Sequence, residues 1–178
     1  WPRARANAGA AARASGSALV NPVMEADVTA IEADVRVRLA DVLDPEIPVL
    51  SIVDLGLIRH VRVAANGAVE VGVSPTYSGC PATSVIKADV EQTLRRGGYG
   101  EVRIVDVLAP PWTTEWITAE GRSKLHDYGI APPSAGPVAC PQCGSLSTTK
   151  LSEFGSTPCK ALYRCMRCLE PFDHFKCL

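Results

Sequence analysis

"IRHVRVAANGAVEVGVS", residues 58–74, alternates apolar and polar side chains on both sides of Asn66-Gly67. Val61 and Val63 share one face of its first half, and Val69, Val71 and Val73 share one face of its second. A period of two is that of a β-strand with one covered face. Asn-Gly is the preferred two-residue hairpin turn, because both positions tolerate positive φ. The stretch therefore predicts an antiparallel hairpin, and the elements around it set the fold class.

Upstream, Val28, Ile31, Val35, Leu39 and Val42 form one apolar stripe at helical spacing, which predicts a helix over 26–43. It stops at "DPEIP" (44–48), where Pro45 pushes Asp44 out of the helical region and Pro48 prevents resumption. Downstream, Val85/Ile86, Val90 and Leu94 give a second stripe, closed by Gly97-Gly98. "EVRIVDVLA" (101–109) reads as a third strand. Its apolar parity switches between Ile104 and Val105, as expected of a bulge or of a strand buried on both faces. A less regular helix over 113–128 follows, weakened by about 1 kcal/mol at Gly121 relative to alanine.

The order α-β-β-α-β-α describes a compact α/β domain, of the mixed α+β kind, over residues 24–130. A proline-, glycine- and serine-rich linker (131–138) leads to a cysteine-rich module over 139–178. Residues 1–23 hold three arginines, many alanines and no acid; they read as a disordered extension ahead of Met24.

The whole chain of 178 residues has a formal charge of −1, which gives no general reason to expect nucleic acid or a membrane surface. The charge is uneven, with ten basic and sixteen acidic residues over 24–135 but five and three over 136–178. No apolar run approaches the roughly 18–20 residues of a membrane helix. With no secretory h-region, the seven cysteines suggest a reducing, cytoplasmic setting and metal or thiol chemistry rather than disulfides.

"CPQCG" and "CMRC" place Cys140, Cys143, Cys165 and Cys168 in two C-x-x-C knuckles, 21 residues apart. Each knuckle can direct two thiolates at one ion, and two knuckles complete a tetrahedral shell. A module this small, with Leu162, Tyr163, Phe172 and Phe175 as its main apolar residues, needs metal to fold. Zinc is the expected structural ion, with rubredoxin-type iron as the alternative. The module's lysines and arginines do not interleave with planar side chains, so it is a protein-docking ribbon rather than a nucleic-acid reader. Cys159 and Cys177 are surplus to the shell and read as packing or unreactive thiols.

The remaining cysteine, Cys80, stands alone in "SPTYSGCPATSVIKADV" (74–90), directly before Pro81. With Pro81 as the first helical residue, Cys80 is the N-cap, where the helix dipole favours a thiolate. Thr76, Tyr77 and Ser78 supply hydroxyls for an anion or a metal ligand. On spacing alone, Cys80 is either such a ligand or a buried small hydrophobe. Asp44 and Glu46 are either carboxylates aimed at the same loop or parts of a helix-terminating turn. No histidine lies near Cys80 in the sequence, so a nucleophilic Cys–His pair is not legible.

Taken together, "DPEIPVLSIVDLGLI" (44–58), "SPTYSGCPA" (74–82) and "LAPPWTTEWITAEGRSKLHDYGIAPP" (108–133) resemble the small domain of iron–sulfur assembly accessory proteins. With the C-terminal "CPQCGS…FGSTPCKALYRCMRCLEPFDHFKC", the chain resembles the PaaD-like family, accessory subunits of bacterial phenylacetyl-CoA epoxidase systems. The resemblance implies a non-catalytic helper in aerobic phenylacetate degradation. Its partners would be the di-iron oxygenase and the flavin and iron–sulfur reductase, with no nucleic acid and no membrane. It implies that Cys80, with Asp44 and Glu46, handles a transient iron or iron–sulfur cargo, Thr76 being a further candidate. Two copies pairing their Cys80 loops, as a homodimer, could complete a four-ligand site.

Overall fold

The computed structural model describes residues 22–77 and 79–178, with side chains from residue 27 onward. The expected extension 1–23 lies almost entirely outside the described residues, as does the Ser78 hydroxyl. Helix α1 (Pro22–Leu39) buries Val35 and Leu39 completely. It ends four residues before the sequence limit of 43, its final turns tightened by Val42 N–H donating to the Leu39 carbonyl. Val42 stays in the core from the following loop, where its carbonyl accepts from Ile52 N–H.

The hairpin consists of β1 (Ile58–Val63) and β2 (Val69–Val73), with Val61 paired to Val71 and Val63 to Val69. Its turn is longer than Asn-Gly alone would give. Ala64 N–H donates to the Ala68 carbonyl, Gly67 N–H to Ala64, and only Gly67 has positive φ, at 82°. Asn66 acts instead through its side chain, whose Oδ1 accepts from Ala68 N–H at 3.1 Å.

A parallel strand needs a crossover, and helix α2 (Ala82–Arg96) provides it before β3 (Val102–Asp106). The sheet order is β1-β2-β3. Strand β3 runs in unbroken register from Val69↔Val102 to Val73↔Asp106, so the parity switch marks partial cover on both faces, not a bulge. Helices α1 and α2 pack on each other, α1 also on β1 and α2 on β3. Ala82, Ile86, Val90 and Leu94 of α2 are buried, while Val85 is exposed.

The region 113–128 divides into a short 3-10 turn (Thr114–Trp116) and helix α3 (Ala119–Asp127), capped by Thr118 Oγ1 accepting from Gly121 N–H. Gly121 is there for close approach: a Cβ would meet the Asp54 carbonyl at 2.9 Å. No helix among the described residues is long and apolar enough to cross a membrane.

The C-terminal module is a three-stranded antiparallel sheet of β4 (Thr148–Ser152), β5 (Lys160–Cys165) and β6 (Pro171–Phe175). A small core of Ala131, Val138, Cys140, Cys165 and Phe172 holds it together. Two further residues leave that core for the larger one: Phe175 and Cys159 belong to the buried cluster of the α/β domain. The Phe175 ring lies 6.1 Å from that of Trp112. Ala131 N–H donates to Asp173, and Phe175 N–H to Ala131, so the proline-rich segment starts as a short parallel partner of β6. The mixed α+β domain and the ribbon share a seam.

Candidate functional site

The end of β2 and the start of α2 position the Cys80 loop. Ser74 N–H donates to the Leu57 carbonyl and Val107 N–H to Val73, which fixes the strand exit. Gly79 turns the chain at φ 87°. Cys80 is half-buried against the main core. The N-cap is Pro81, in a helical conformation and with no side-chain cap, so Cys80 precedes the expected position by one residue. The Cys80 carbonyl still accepts from Thr83 N–H at 3.2 Å, and Pro81 is already helical, so the turning reaches back to the residue expected as the first of the helix.

Asp44, Thr76 and Cys80 line one crevice, floored by Leu57, Val73 and Ile86. It holds about 10 Å³, enough for a single water. The buried Asp44 carboxylate is already engaged: its Oδ1 accepts from Glu46 N–H and Ile47 N–H, each at 2.8 Å. This closes the DPEIP turn. Glu46 is half-buried and makes no side-chain hydrogen bond or ion pair among the described residues. It does not line the crevice that Asp44, Thr76 and Cys80 share.

Between these groups stands Tyr77, whose Oη is fully buried with no acceptor in hydrogen-bond geometry. Burial, then neighbouring Cys80, Glu46 and Cys159, push its pKa up to about 12. The phenol therefore keeps its proton. A second cavity of about 90 Å³ adjoins the crevice across Pro75 and Thr76, and buried Ser74 Oγ, also unpartnered, lines it. Such orphaned hydroxyls are rare in native interiors. Nothing in the sequence singles out Ser74; only its burial does.

Cys159 is a residue whose place the sequence hides. It reaches the seam from the ribbon, is buried, and its Sγ lies 3.0 Å from Thr157 Oγ1. Burial pushes its thiol above the ordinary range. Cys177, by contrast, is exposed, its thiol donating to the Ser134 carbonyl at 3.3 Å.

In the ribbon, the sulfurs of Cys140, Cys143, Cys165 and Cys168 all lie within 4.8 Å of one another. Cys140 and Cys168 are 3.7 Å apart, and Cys143 and Cys165 3.6 Å. Backbone N–H groups of Arg167 and Cys168 point at Cys165 Sγ, each at 3.4 Å. The Cys168 amide, more than any other group, draws the Cys165 thiol down to about 6. Although the Glu170 amide acts to lower Cys168, burial and the three neighbouring thiols push it up to about 12. Four thiols this close compete for charge, and a divalent cation is the natural partner for all four. The donor set and geometry fit a metal ion, and among the described residues no other group of three or more His, Cys, Asp or Glu side chains does.

Residues 131–176 match the PaaD zinc beta ribbon domain, and residues 32–107 match the iron–sulfur cluster assembly protein family. The chain is 48% identical over 148 residues to a protein of Escherichia coli (strain K12) provisionally named as a 1,2-phenylacetyl-CoA epoxidase subunit; the match covers 79% of this chain and 89% of that one. It is 37% identical over 95 residues to an Fe-S protein maturation auxiliary factor of Porphyromonas gingivalis (strain ATCC BAA-308 / W83), covering 53% of this chain and 90% of the relative. A crystal structure of the domain of unknown function DUF59 from Bacillus anthracis superposes with a TM-score of 0.54 at 28% identity, covering 57% of this chain and 96% of that one. The mixed sheet with its helices, the four-cysteine ribbon and these matches agree: the chain belongs to the PaaD family of 1,2-phenylacetyl-CoA epoxidase subunits, an iron–sulfur cluster assembly domain joined to a PaaD zinc beta ribbon.

Proposed function

We propose that the chain is a non-catalytic maturation factor of a phenylacetyl-CoA epoxidase system, acting in the cytoplasm on the iron or iron–sulfur centres of its oxygenase or reductase. The observation that carries this reading is the half-buried Cys80 thiol at a crevice with Thr76 and Asp44, in the part of the chain that matches an iron–sulfur cluster assembly family. A single thiol with an incomplete shell suits a cargo that must be released, whereas four sulfurs around one ion suit one that stays. In the ribbon, Cys140, Cys143, Cys165 and Cys168 hold a structural zinc, which supplies folding free energy and no chemistry. Thr76 and Glu46 are the groups free to adjust around the cargo, and Asp44 sets the turn that presents Glu46.

A second reading has its own support. The preassembled ligand set belongs to the ribbon, and the crevice at Cys80 admits only one water. A stoichiometric adaptor that docks the oxygenase through the ribbon, without handling iron, would need nothing more. Transfer of isotopically labelled iron separates the two. The loaded chain is mixed with an iron-free oxygenase or reductase subunit in the presence of a chelator that scavenges free iron. A maturation factor delivers label to the client, and Cys80→Ala delivers none. An adaptor gives the same low transfer from both proteins.

A further inference from the structure

We propose that the cavity of about 90 Å³ beside the Cys80 crevice is where a client protein docks, through an uncharged apolar loop that places one amide carbonyl against the Ser74 hydroxyl. This rests on the reading of the chain as a maturation factor for the oxygenase or reductase, and names the surface that such a client meets. Ser74 lines the cavity, is 1% exposed, and its Oγ has no hydrogen-bond partner among the described residues. Leaving a buried hydroxyl unpaired is costly. The backbone needs nothing further, since Ser74 N–H already donates to the Leu57 carbonyl. The cavity has room for a few waters or for one amide-sized group.

Around this polar floor the rim is apolar. Leu108 and Pro111 line the cavity, and Leu108, Ala109, Pro110 and Pro111 form an unbroken run of exposed apolar residues, with Leu108 64% exposed. Single apolar side chains on a surface are ordinary, but a run of four gains nothing from facing water and marks a contact surface. The wall is already fixed: Trp112 Nε1 donates to the Leu55 carbonyl at 2.9 Å, and the Trp112 ring packs on Phe175. No aspartate, glutamate, histidine, lysine or arginine lines the cavity. A charged group would be buried there without a counter-charge, whereas a neutral carbonyl takes the Ser74 proton and leaves nothing unpaired. A small free amide would satisfy the floor and leave the rim in water; a protein loop covers both. Thr76 lines this cavity and the Cys80 crevice alike, so a loop seated here lies beside the thiol.

Photocrosslinking of the zinc-loaded full chain to the separately purified oxygenase and reductase subunits tests this. p-Benzoylphenylalanine in place of Leu108 captures one subunit, at an uncharged apolar loop. The same group in place of Val37, exposed on α1, captures neither. Ser74→Ala weakens binding of that subunit about fivefold, as expected of one lost hydrogen bond. Its melting temperature stays at or above that of wild type, because the hydroxyl removed has no partner in the free chain. Leu108→Ser, at an exposed position, weakens binding as well, and added salt changes the affinity by less than about twofold. Wild-type affinity in Ser74→Ala overturns the proposal, and a lowered melting temperature beside it would assign the hydroxyl to buried water. Capture of a bound subunit at Val37 or at Phe154 of the ribbon, but not at Leu108, also overturns it and leaves the maturation reading standing. Labelled-iron transfer through Cys80 tests that reading separately: it can succeed without capture at Leu108, and capture can occur with a chain that delivers no iron.

Discussion

Two backbone N–H groups, from Glu46 and Ile47, end on one oxygen of Asp44, in a residue that is 8% exposed. Removing the acceptor strands both donors, so Asp44→Ala costs about 1–3 kcal/mol in urea unfolding. Asp44→Asn keeps an oxygen in place and costs less. A ligand-only role for Asp44 would leave both variants as stable as wild type. This residue shows where sequence reading stops: "DPEIP" is legible as a turn and as an acidic loop, but not which role the carboxylate takes. At Cys80 the loop ahead of a proline and an apolar helix stripe is legible, but spacing leaves a ligand and a packed thiol equally open. Cys159 reads as surplus because the buried cluster it joins is built from residues of the α/β domain far earlier in the chain, and spacing carries no trace of them.

Helix α3 is tied to the loop after α1 through one buried carboxylate, Asp54, whose titration is coupled to folding. Asp54 Oδ2 accepts from Ser51 N–H, Ser51 Oγ and Lys124 Nζ at 2.9–3.0 Å. Burial works to raise its pKa, but the Ser51 amide, Lys124 and the Ser51 hydroxyl outweigh it, and the group titrates below its ordinary 3.8. A depressed carboxylate contributes stability that is complete above the unfolded value and is lost as pH falls through the lower folded value. Asp54→Asn should therefore lower Tm at neutral pH and flatten its fall below pH 3.8. An acid limb as steep as the wild type's would contradict this. At this scale α1, α2, β1 and β2 are readable from periodicity, because each has one face on a shared core, whereas the ribbon strands β4, β5 and β6 show no such pattern. The turn between β1 and β2 is longer than the Asn-Gly signal implies, since Asn66 uses its side chain where a two-residue turn would use its backbone. Helix α1 is shorter than its stripe for a similar reason: Val42 continues the stripe into the core from a loop, which periodicity cannot distinguish from a helix.

Over the whole molecule, the ribbon keeps a small core of its own and lends two side chains to that of the α/β domain. Phe175 and Cys159 lie in the larger cluster, Phe175 packs on Trp112, and Thr114 N–H donates to the Leu178 carbonyl at 3.3 Å. Stripping metal from the ribbon thus removes side chains from the neighbouring domain. Chelation should lower the melting temperature read from tryptophan fluorescence in a chain whose Trp1 and Trp116 are replaced by phenylalanine, leaving Trp112; an unchanged transition would mean that the modules are energetically independent. This coupling is not legible in a segment whose prolines, glycine and serine read as a linker, because Ala131 joins β6 through backbone groups that composition does not reveal. It also brings the ribbon's Cys159 to the core on which the Cys80 loop packs. The decisive quantity is the iron content, per polypeptide, of the oxygenase and the reductase purified from cells producing wild-type protein or Cys80→Ala at equal abundance. Maturation through Cys80 requires that one client be depleted of iron in the Cys80→Ala cells. Full iron in both clients would refute it and leave Cys80 as a packed thiol.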